Sequence, residues 1–381
     1  MTNPLQSRIA NTAFAFRGYN VTNLSRTPEL LAHGAYGPTV RRYLQRASDQ
    51  CAKVTGRPVD LVGRVERREE PDLVHYAEAI ALVMAVDLAQ VQLLQEFHGV
   101  AYREAKMAFG YSLGELTAVA GGGVFDMDDV MKVPLAMAAD SAALATDCTM
   151  GVLFSRGPTI DELDVKRLCR QITTEGAGTI GISAILTPNT YLLLGQANTV
   201  ARFKETMHTV LPDPAHVKIN PERWPPLHTP IVRQKHIPDR AAVMMDSMPG
   251  GFQPPCPPIL SLVTGQRSYD DFRARDILRD WADHPQRLWD GVYETLASGV
   301  TTVIHVGPGP NVIPATFHRL SENIVQQTAS SSFGRMSVRA AAGWAHRPWL
   351  AAILPGRAAL LRAPSIKHVI LEDWLLEHAP K

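Results

Sequence analysis

The sequence predicts an α/β protein, a mostly parallel sheet flanked by helices with a smaller α+β unit inserted into it, and three observations carry that expectation. First, a short apolar run ends in Phe109-Gly110-Tyr111-Ser112-Leu113-Gly114-Glu115, a Gly-x-Ser-x-Gly pattern followed by a helix-like segment from Leu116 to Ala120. That is a strand-to-helix turn so tight that small residues must flank the serine. Second, Ile259–Val263 and Thr302–Val306 are apolar and β-branched, with a helical run from Asp276 to Ser298 between them. Strand, helix, strand is the order of a parallel sheet. Third, between Thr149 and Asn220 the apolar runs shorten into four strand-like pieces and two helix-like ones.

Along the chain, Thr12–Phe16 reads as a strand stopped by the turn Arg17-Gly18-Tyr19-Asn20. Thr27–Thr55 reads as a helix with Pro28 near its start, and Val74–Glu96 as a central helix that is hydrophobic on most sides. Tyr102–Phe109 leads into the elbow. Gly121-Gly122-Gly123 is a loop, and Asp126-Met127-Asp128-Asp129 opens a helix with acidic residues in its first turn; Pro134 falls inside that helix and is expected to kink it. In the insert, strands are expected at Met150–Phe154, Thr179–Ile185, Tyr191–Leu194 and Ala215–Ile219, with helices at Thr159–Ile172 and Val200–Val210, an arrangement resembling a ferredoxin-like unit. Prolines 212, 214, 221, 225 and 226 return the chain to the main body. A Ser-rich linker, Thr328–Ser332, precedes a tail with Trp344, Trp349 and Trp374. The expected divisions are a large subdomain in two parts, 1–148 and 221–330, a small one at 149–220, and an extension at 331–381.

With 381 residues, 45% apolar and 20% charged, the chain has the composition of an ordinary globular protein. A net charge of +1 gives no argument for nucleic acid or an anionic membrane. Cys51, Cys148, Cys169 and Cys256 are too scattered for a disulfide framework and read as reduced packing residues. Met1–Ala13 lacks the pattern of a secretory signal, and Ala77–Leu94 is interrupted by Glu78, Asp87, Gln90 and Gln92, so no membrane span and a cytoplasmic location are expected. No His/Cys/Asp/Glu cluster has metal-site spacing.

The elbow makes the expected sheet hydrolase-like and Ser112 a candidate nucleophile, although a serine there can also simply cap the following helix. Its base must be found among 13 histidines. His228 stands out in Pro225-Pro226-Leu227-His228-Thr229-Pro230, because prolines on both sides stiffen the loop that would present it. A turn histidine satisfied by backbone carbonyls remains the alternative. Two glycine-containing turns, Gly18-Tyr19-Asn20 and Val306-Gly307-Pro308-Gly309-Pro310, can line the same cleft. The second lacks the Lys-Ser/Thr continuation of a phosphate loop, and its neighbours His305 and His318 read as structural or exposed.

These pieces, in this order, resemble the malonyl-CoA:acyl-carrier-protein transacylase family of fatty-acid and polyketide synthesis. The resemblance rests on Phe14-Ala15-Phe16-Arg17-Gly18 for the family's Phe-x-Phe-Pro-Gly-Gln-Gly, and on Gly110-Tyr111-Ser112-Leu113-Gly114-Glu115 for Gly-His-Ser-x-Gly-Glu. It continues with Leu227-His228-Thr229-Pro230 for Phe-His-Ser-Pro, Val263-Thr264-Gly265 for Asn-Val-Thr-Gly, and Val306-Gly307-Pro308-Gly309 for Glu-Val-Gly-Pro-Gly. It covers roughly residues 12–325. It implies a ping-pong transfer in which Ser112, with His228 as base, takes an acyl group from CoA and yields it to the phosphopantetheine thiol of an acyl carrier protein. Acyl-CoA is then a substrate, and no permanently bound cofactor is implied. The oxyanion donors would be the backbone N–H groups of Tyr19 and Leu113, and a main-chain carbonyl near the second glycine-rich turn would steady the imidazole.

The departures concern the acyl group. Malonyl-using members carry a carboxylate-clamping arginine 25 residues beyond the serine, which here is Met137. Leaving a buried carboxylate unpaired costs on the order of 3–5 kcal/mol. Tyr111 replaces the histidine before the serine, Tyr19 the turn glutamine, Leu186 an asparagine of the small subdomain, and Leu227 precedes the histidine. An uncharged acyl group is therefore expected, with Arg17 as the one cation near the turn able to hold a carboxylate from another side. Two competing readings remain. A thioesterase or other serine hydrolase would need an acid such as Asp161, Asp164 or Asp213 between serine and histidine. The other is a degenerate acyltransferase acting as a binding subunit of a synthase. The tail carries Arg335, Arg339, Arg347, Arg357, Arg362 and Lys367, which can meet an acidic partner. The favoured reading of the tail is instead a pair of helices docked through Trp349, Leu350, Trp374 and Leu375.

Overall fold

A computed structural model describes residues 3–329 and 347–380. The first strand, β1 (Thr12–Phe16), is buried along its whole length, as an apolar run flanked by parallel neighbours should be. Helices α1 (Thr27–Ala32) and α2 (Gly37–Thr55) follow as two pieces rather than the single expected helix. Pro38 has no amide hydrogen to continue a helix and starts a new one instead. Then come α3 (Leu61–Glu66) and α4 (Tyr76–His98). Helix α4 is long and apolar enough to cross a membrane, but 83% of its most apolar window is buried inside the protein, which makes it the central core helix.

Strand β2 (Met107–Gly110) runs into the elbow and α5 (Leu113–Gly121), followed by α6 (Met127–Ala145), which Asp126 caps and which contains Pro134. The inserted unit is β3 (Cys148–Ser155), α7 (Glu162–Thr174), β4 (Ile180–Thr187), β5 (Thr190–Gln196), α8 (Thr199–Thr206) and β6 (Ala215–Arg223). Its four antiparallel strands lie in the order β4-β5-β3-β6, the order a ferredoxin-like βαββαβ unit produces.

The chain returns through α9 (Ile237–Asp246) to β7 (Ile259–Leu260), which is shorter than expected. Ser261 ends it: its hydroxyl accepts from Val263 and Thr264 N–H, while Glu115 captures the Leu262 N–H. The expected helix Asp276–Ser298 is two, α10 (Ala274–Asp280) and α11 (Leu288–Ala297), with Pro285 in the break. Strand β8 (Thr302–Val306) and α12 (Val312–Ala329) follow. Thr328 therefore continues a helix instead of opening a linker; Ser330–Ser332, Arg335, Arg339 and Trp344 lie outside the described residues.

The tail has its two expected helices and departs from expectation by one added strand. Between the helices Pro348–Ile353 and Leu371–Glu377 lies a strand, β9 (Lys367–Ile370), which pairs in parallel with β8 and completes the main sheet, β7-β2-β1-β8-β9. Strand alternation gives this sheet two cores. Phe14, Phe16 and Ile304 face α2, α4 and α6, whereas Ala13, Ala15, Phe109 and Val303 face α11, α12 and the small sheet.

Candidate active site

At the elbow, Ser112 sits at the N-cap of α5 with φ +55°, a conformation that non-glycine residues adopt only under constraint. The constraint is packing. A Cβ on Gly110 would collide with the backbone of Gly114, and one on Gly114 would collide with Phe16 O, so the turn closes against the end of β1 only because both positions are glycine. Glu115 then locks α5 to the segment after β7: its buried carboxyl accepts from Leu262 N–H at 3.0 Å and Tyr269 O–H at 2.9 Å. Burial pushes this carboxyl up to about 7 against those hydrogen bonds.

His228 comes from the opposite direction, also with positive φ (+67°) and buried. Its Nε2 lies 2.7 Å from Ser112 Oγ, and its Nδ1 lies 2.7 Å from Trp281 O. A carbonyl only accepts, so Nδ1 carries the proton and Nε2 offers its lone pair to the serine hydroxyl. Burial lowers the imidazole to about 4, with the Trp281 carbonyl and the charge of Asp283 pulling the other way. The carbonyl thus comes from the break between α10 and α11. It does not come from near Val306–Pro310, the neighbourhood the resemblance implied.

That break supplies more than the carbonyl. Ala282 O accepts the His228 N–H, and Trp281 Nε1 donates to Ser112 O at 2.9 Å. Gln286, fully buried, accepts the Ser112 N–H through Oε1 at 2.8 Å, while its own N–H donates to Ser183 O in β4. Its Nε2 is 3.3 Å from His228 Nδ1, a contact between two donors rather than a hydrogen bond. Trp281 and Gln286 were not singled out from the sequence. Pro285 inside an otherwise helical run is the sequence signal that could have located this break.

Other residues fall on distinct sides of the pair. Met137, 3% exposed, lines an apolar recess of about 10 Å³ with Ile80, Val133, Leu227, Ile237 and Trp281. Tyr19 packs edge-on against Tyr76, another wall of that recess, at 4.9 Å. Tyr111 and Leu186 are half-buried against the opposite core, and the β4 residue that reaches the histidine loop is Ser183, whose hydroxyl donates to Leu227 O at 3.3 Å. The N–H groups of Tyr19 and Leu113 have no acceptor among the described residues, the latter because it lies in the first turn of α5.

Arg17 does not face the recess. It is 1% exposed, and its guanidinium donates to Gly18 O, Pro308 O, Thr22 O and Asn23 Oδ1. The second glycine-rich turn correspondingly backs the first: Pro308 O receives Arg17, and Gly309 N–H donates to Glu372 of the tail. The aspartates a hydrolase triad would need lie elsewhere, with Asp161 capping α7, Asp164 paired with Arg167 and Asp213 exposed. His305 is buried against His368, and His318 is exposed. No group of metal ligands occurs among the described residues.

No family model and no curated protein matches this sequence. Solved structures do match. An acyl-carrier-protein S-malonyltransferase from Vibrio cholerae superposes with TM-score 0.64 at 19% identity, covering 80% of this chain and 92% of that one. One from Bartonella henselae gives 0.63 at 17%, covering 96% and 99%. A malonyl-transacylase solved in complex with a type II PKS acyl-carrier protein gives 0.62 at 19%, covering 80% and 92%. With its parallel sheet, elbow and inserted four-stranded unit, this chain has the fold of the acyl-carrier-protein malonyltransferases.

Proposed function

We propose that this chain is an acyltransferase that moves an acyl group from CoA to the phosphopantetheine thiol of an acyl carrier protein. The observation that carries the reading is the 2.7 Å contact between Ser112 Oγ and His228 Nε2, on an elbow within this fold. In the first half-reaction the serine proton passes to Nε2 as Oγ attacks the thioester carbonyl. The N–H groups of Tyr19 and Leu113 receive the developing oxyanion. The C–S bond breaks, the proton goes to the departing CoA sulfur, and an acyl-Ser112 ester remains. In the second half a pantetheine thiol loses its proton to Nε2, its sulfur attacks the ester, and the proton returns to Ser112 Oγ. Imidazolium formed in each half is stabilised by the Trp281 carbonyl, so no carboxylate is required.

The acyl group is uncharged in this reading. Around Met137 the recess offers a carboxylate no cation, only the Tyr76 and Ser141 side chains among apolar walls, and the Arg17 donors are held elsewhere. An unpaired buried charge costs on the order of 3–5 kcal/mol, which corresponds to roughly a hundredfold to several-thousandfold discrimination against malonyl. The test is intact-protein mass after incubation with malonyl-CoA, acetyl-CoA or longer acyl-CoAs. An uncharged acyl adduct that is lost in Ser112→Ala, and that survives in water until a pantetheine thiol is added, is the expected result. A dominant malonyl adduct would overturn the specificity, rapid hydrolysis would favour a thioesterase, and no adduct with any donor would favour a binding subunit.

A further inference from the structure

The turn that supplies the Tyr19 N–H is wound around a buried cation, at a position where the resembling family has proline. Arg17 Nε donates to Gly18 O at 2.7 Å, Nη1 to Pro308 O at 2.6 Å, and Nη2 to Asn23 Oδ1 at 2.9 Å and Thr22 O at 3.2 Å. Asn23 Oδ1 also accepts the Asn20 N–H, so residues 17–23 form one hydrogen-bonded knot. The Gly18 carbonyl and the Tyr19 N–H belong to a single peptide unit, and in a planar trans peptide they point in opposite directions. A guanidinium fastened to the carbonyl from the core side therefore aims the N–H outward. The turn lies directly against the elbow: a Cβ on Gly18 would stand 3.2 Å from Ser112 Cβ. A charged donor on the carbonyl also polarises the amide and strengthens its N–H as a donor.

The surroundings are built to keep the cation there. Asp87 of α4 is fully buried, and both of its carboxyl oxygens lack a hydrogen-bond partner. Gly307, at φ +96°, leaves room where a Cβ would collide with Asp87 Oδ1 and crowd the Arg17 stem. Burial disfavours the charged guanidinium, and Asp87, Glu372 and Glu70 oppose that cost, while burial also pushes the Asp87 carboxyl well above the ordinary carboxylate range against the pull of Arg17. Glu70 holds the Asn23 and Leu24 N–H groups, and Glu372 holds that of Gly309.

We infer that Arg17 is a positioning residue that orients and polarises the Gly18–Tyr19 peptide as an oxyanion donor. The inference rests on the proposed reading for the roles of Ser112 and Tyr19, but not on the identity of the acyl donor. The test is phosphonylation of Ser112 by an alkyl fluorophosphonate. In that reaction Oγ bonds to phosphorus, fluoride leaves, the serine proton passes to His228, and the phosphoryl oxygen takes the oxyanion position.

Arg17→Met removes the guanidinium, and Arg17→Lys keeps a cation beside Asp87 while losing the planar fork, so the latter provides a folded variant if the former does not fold. With rates corrected for the folded fraction, the maximal inactivation rate is expected to fall about 100-fold or more, the effect of losing one oxyanion donor. The half-saturating probe concentration should stay within about threefold, the mark of an interaction made only in the transition state. A folded variant that inactivates within about threefold of the parent overturns the inference, as does a change confined to probe affinity. A parent protein that reacts with the phosphonate but is loaded by no acyl-CoA refutes the proposed function and leaves the Arg17 inference standing. A parent that resists the phosphonate overturns both.

Discussion

With His228 as the base of the proposed transfer, the acid limit of serine acylation follows from where that histidine is buried. The imidazole must be neutral to take the serine proton, and burial lowers it to about 4 from an ordinary 6.5. At pH 5.5 an ordinary histidine would be neutral in about one molecule in eleven, whereas His228 is neutral in nearly all. The acylation rate at pH 5.5 is therefore expected near its plateau, about tenfold above what an unperturbed base allows. The same separation bears on stability. The unfolded chain binds its proton near 6.5 and the folded one only near 4, so protonation favours unfolding. Stability contributed by the neutral, hydrogen-bonded ring is present above 6.5 and lost as pH falls towards 4, by about 3 kcal/mol in all. Quenched-flow acylation read by intact mass from pH 4.5 to 8, with folded fraction followed by circular dichroism, measures both. An acid limb centred at 6.5 in fully folded protein would refute the assignment of a buried, carbonyl-bound His228 as the base.

Glu115 gives the opposite slope. Its folded carboxyl is raised to about 7, so the stability it contributes is present below about 4.5 and lost as pH rises towards 7. Glu115→Gln, which keeps an acceptor for the Leu262 N–H, is expected to flatten the decline in thermal stability between pH 5 and 8; an unchanged pH profile of melting would refute this. Gln286→Leu leaves the Ser112 N–H without its acceptor. It should cost about 1–3 kcal/mol in denaturant unfolding and slow acylation while His228 still reaches Ser112. Full stability in this variant would show that the Gln286 contact is dispensable.

Much of this organisation was legible locally. Gly110 and Gly114 announce the elbow because only a residue without Cβ tolerates backbone at that separation, and the prolines around His228 mark a stiffened loop. The βαββαβ order of the insert can be read from alternating short runs. Residues whose meaning is long-range were harder to read. Trp281 acts through its carbonyl oxygen, which any residue possesses, and Gln286 looks like an ordinary polar residue until it faces an amide 174 positions away. Strand β9 was missed because four residues, Lys-His-Val-Ile, carry too little periodicity; they become a strand by pairing with the exposed edge of β8.

By itself the sequence determined the elements whose cause is local: the elbow glycines, the central apolar helix, the alternation of strands and helices, and Ser112 and His228 as candidates for the reacting pair. The tertiary structure decided what each polar group faces. It put a carbonyl rather than a carboxylate behind His228, and it turned Arg17 inward to hold a peptide instead of outward towards the site. Met137 was set in an apolar wall. These are questions of direction and burial. The same side chain is a ligand, a strut or a wall according to which neighbours the fold brings within 3 Å, and hydrogen bonding and desolvation act at that range.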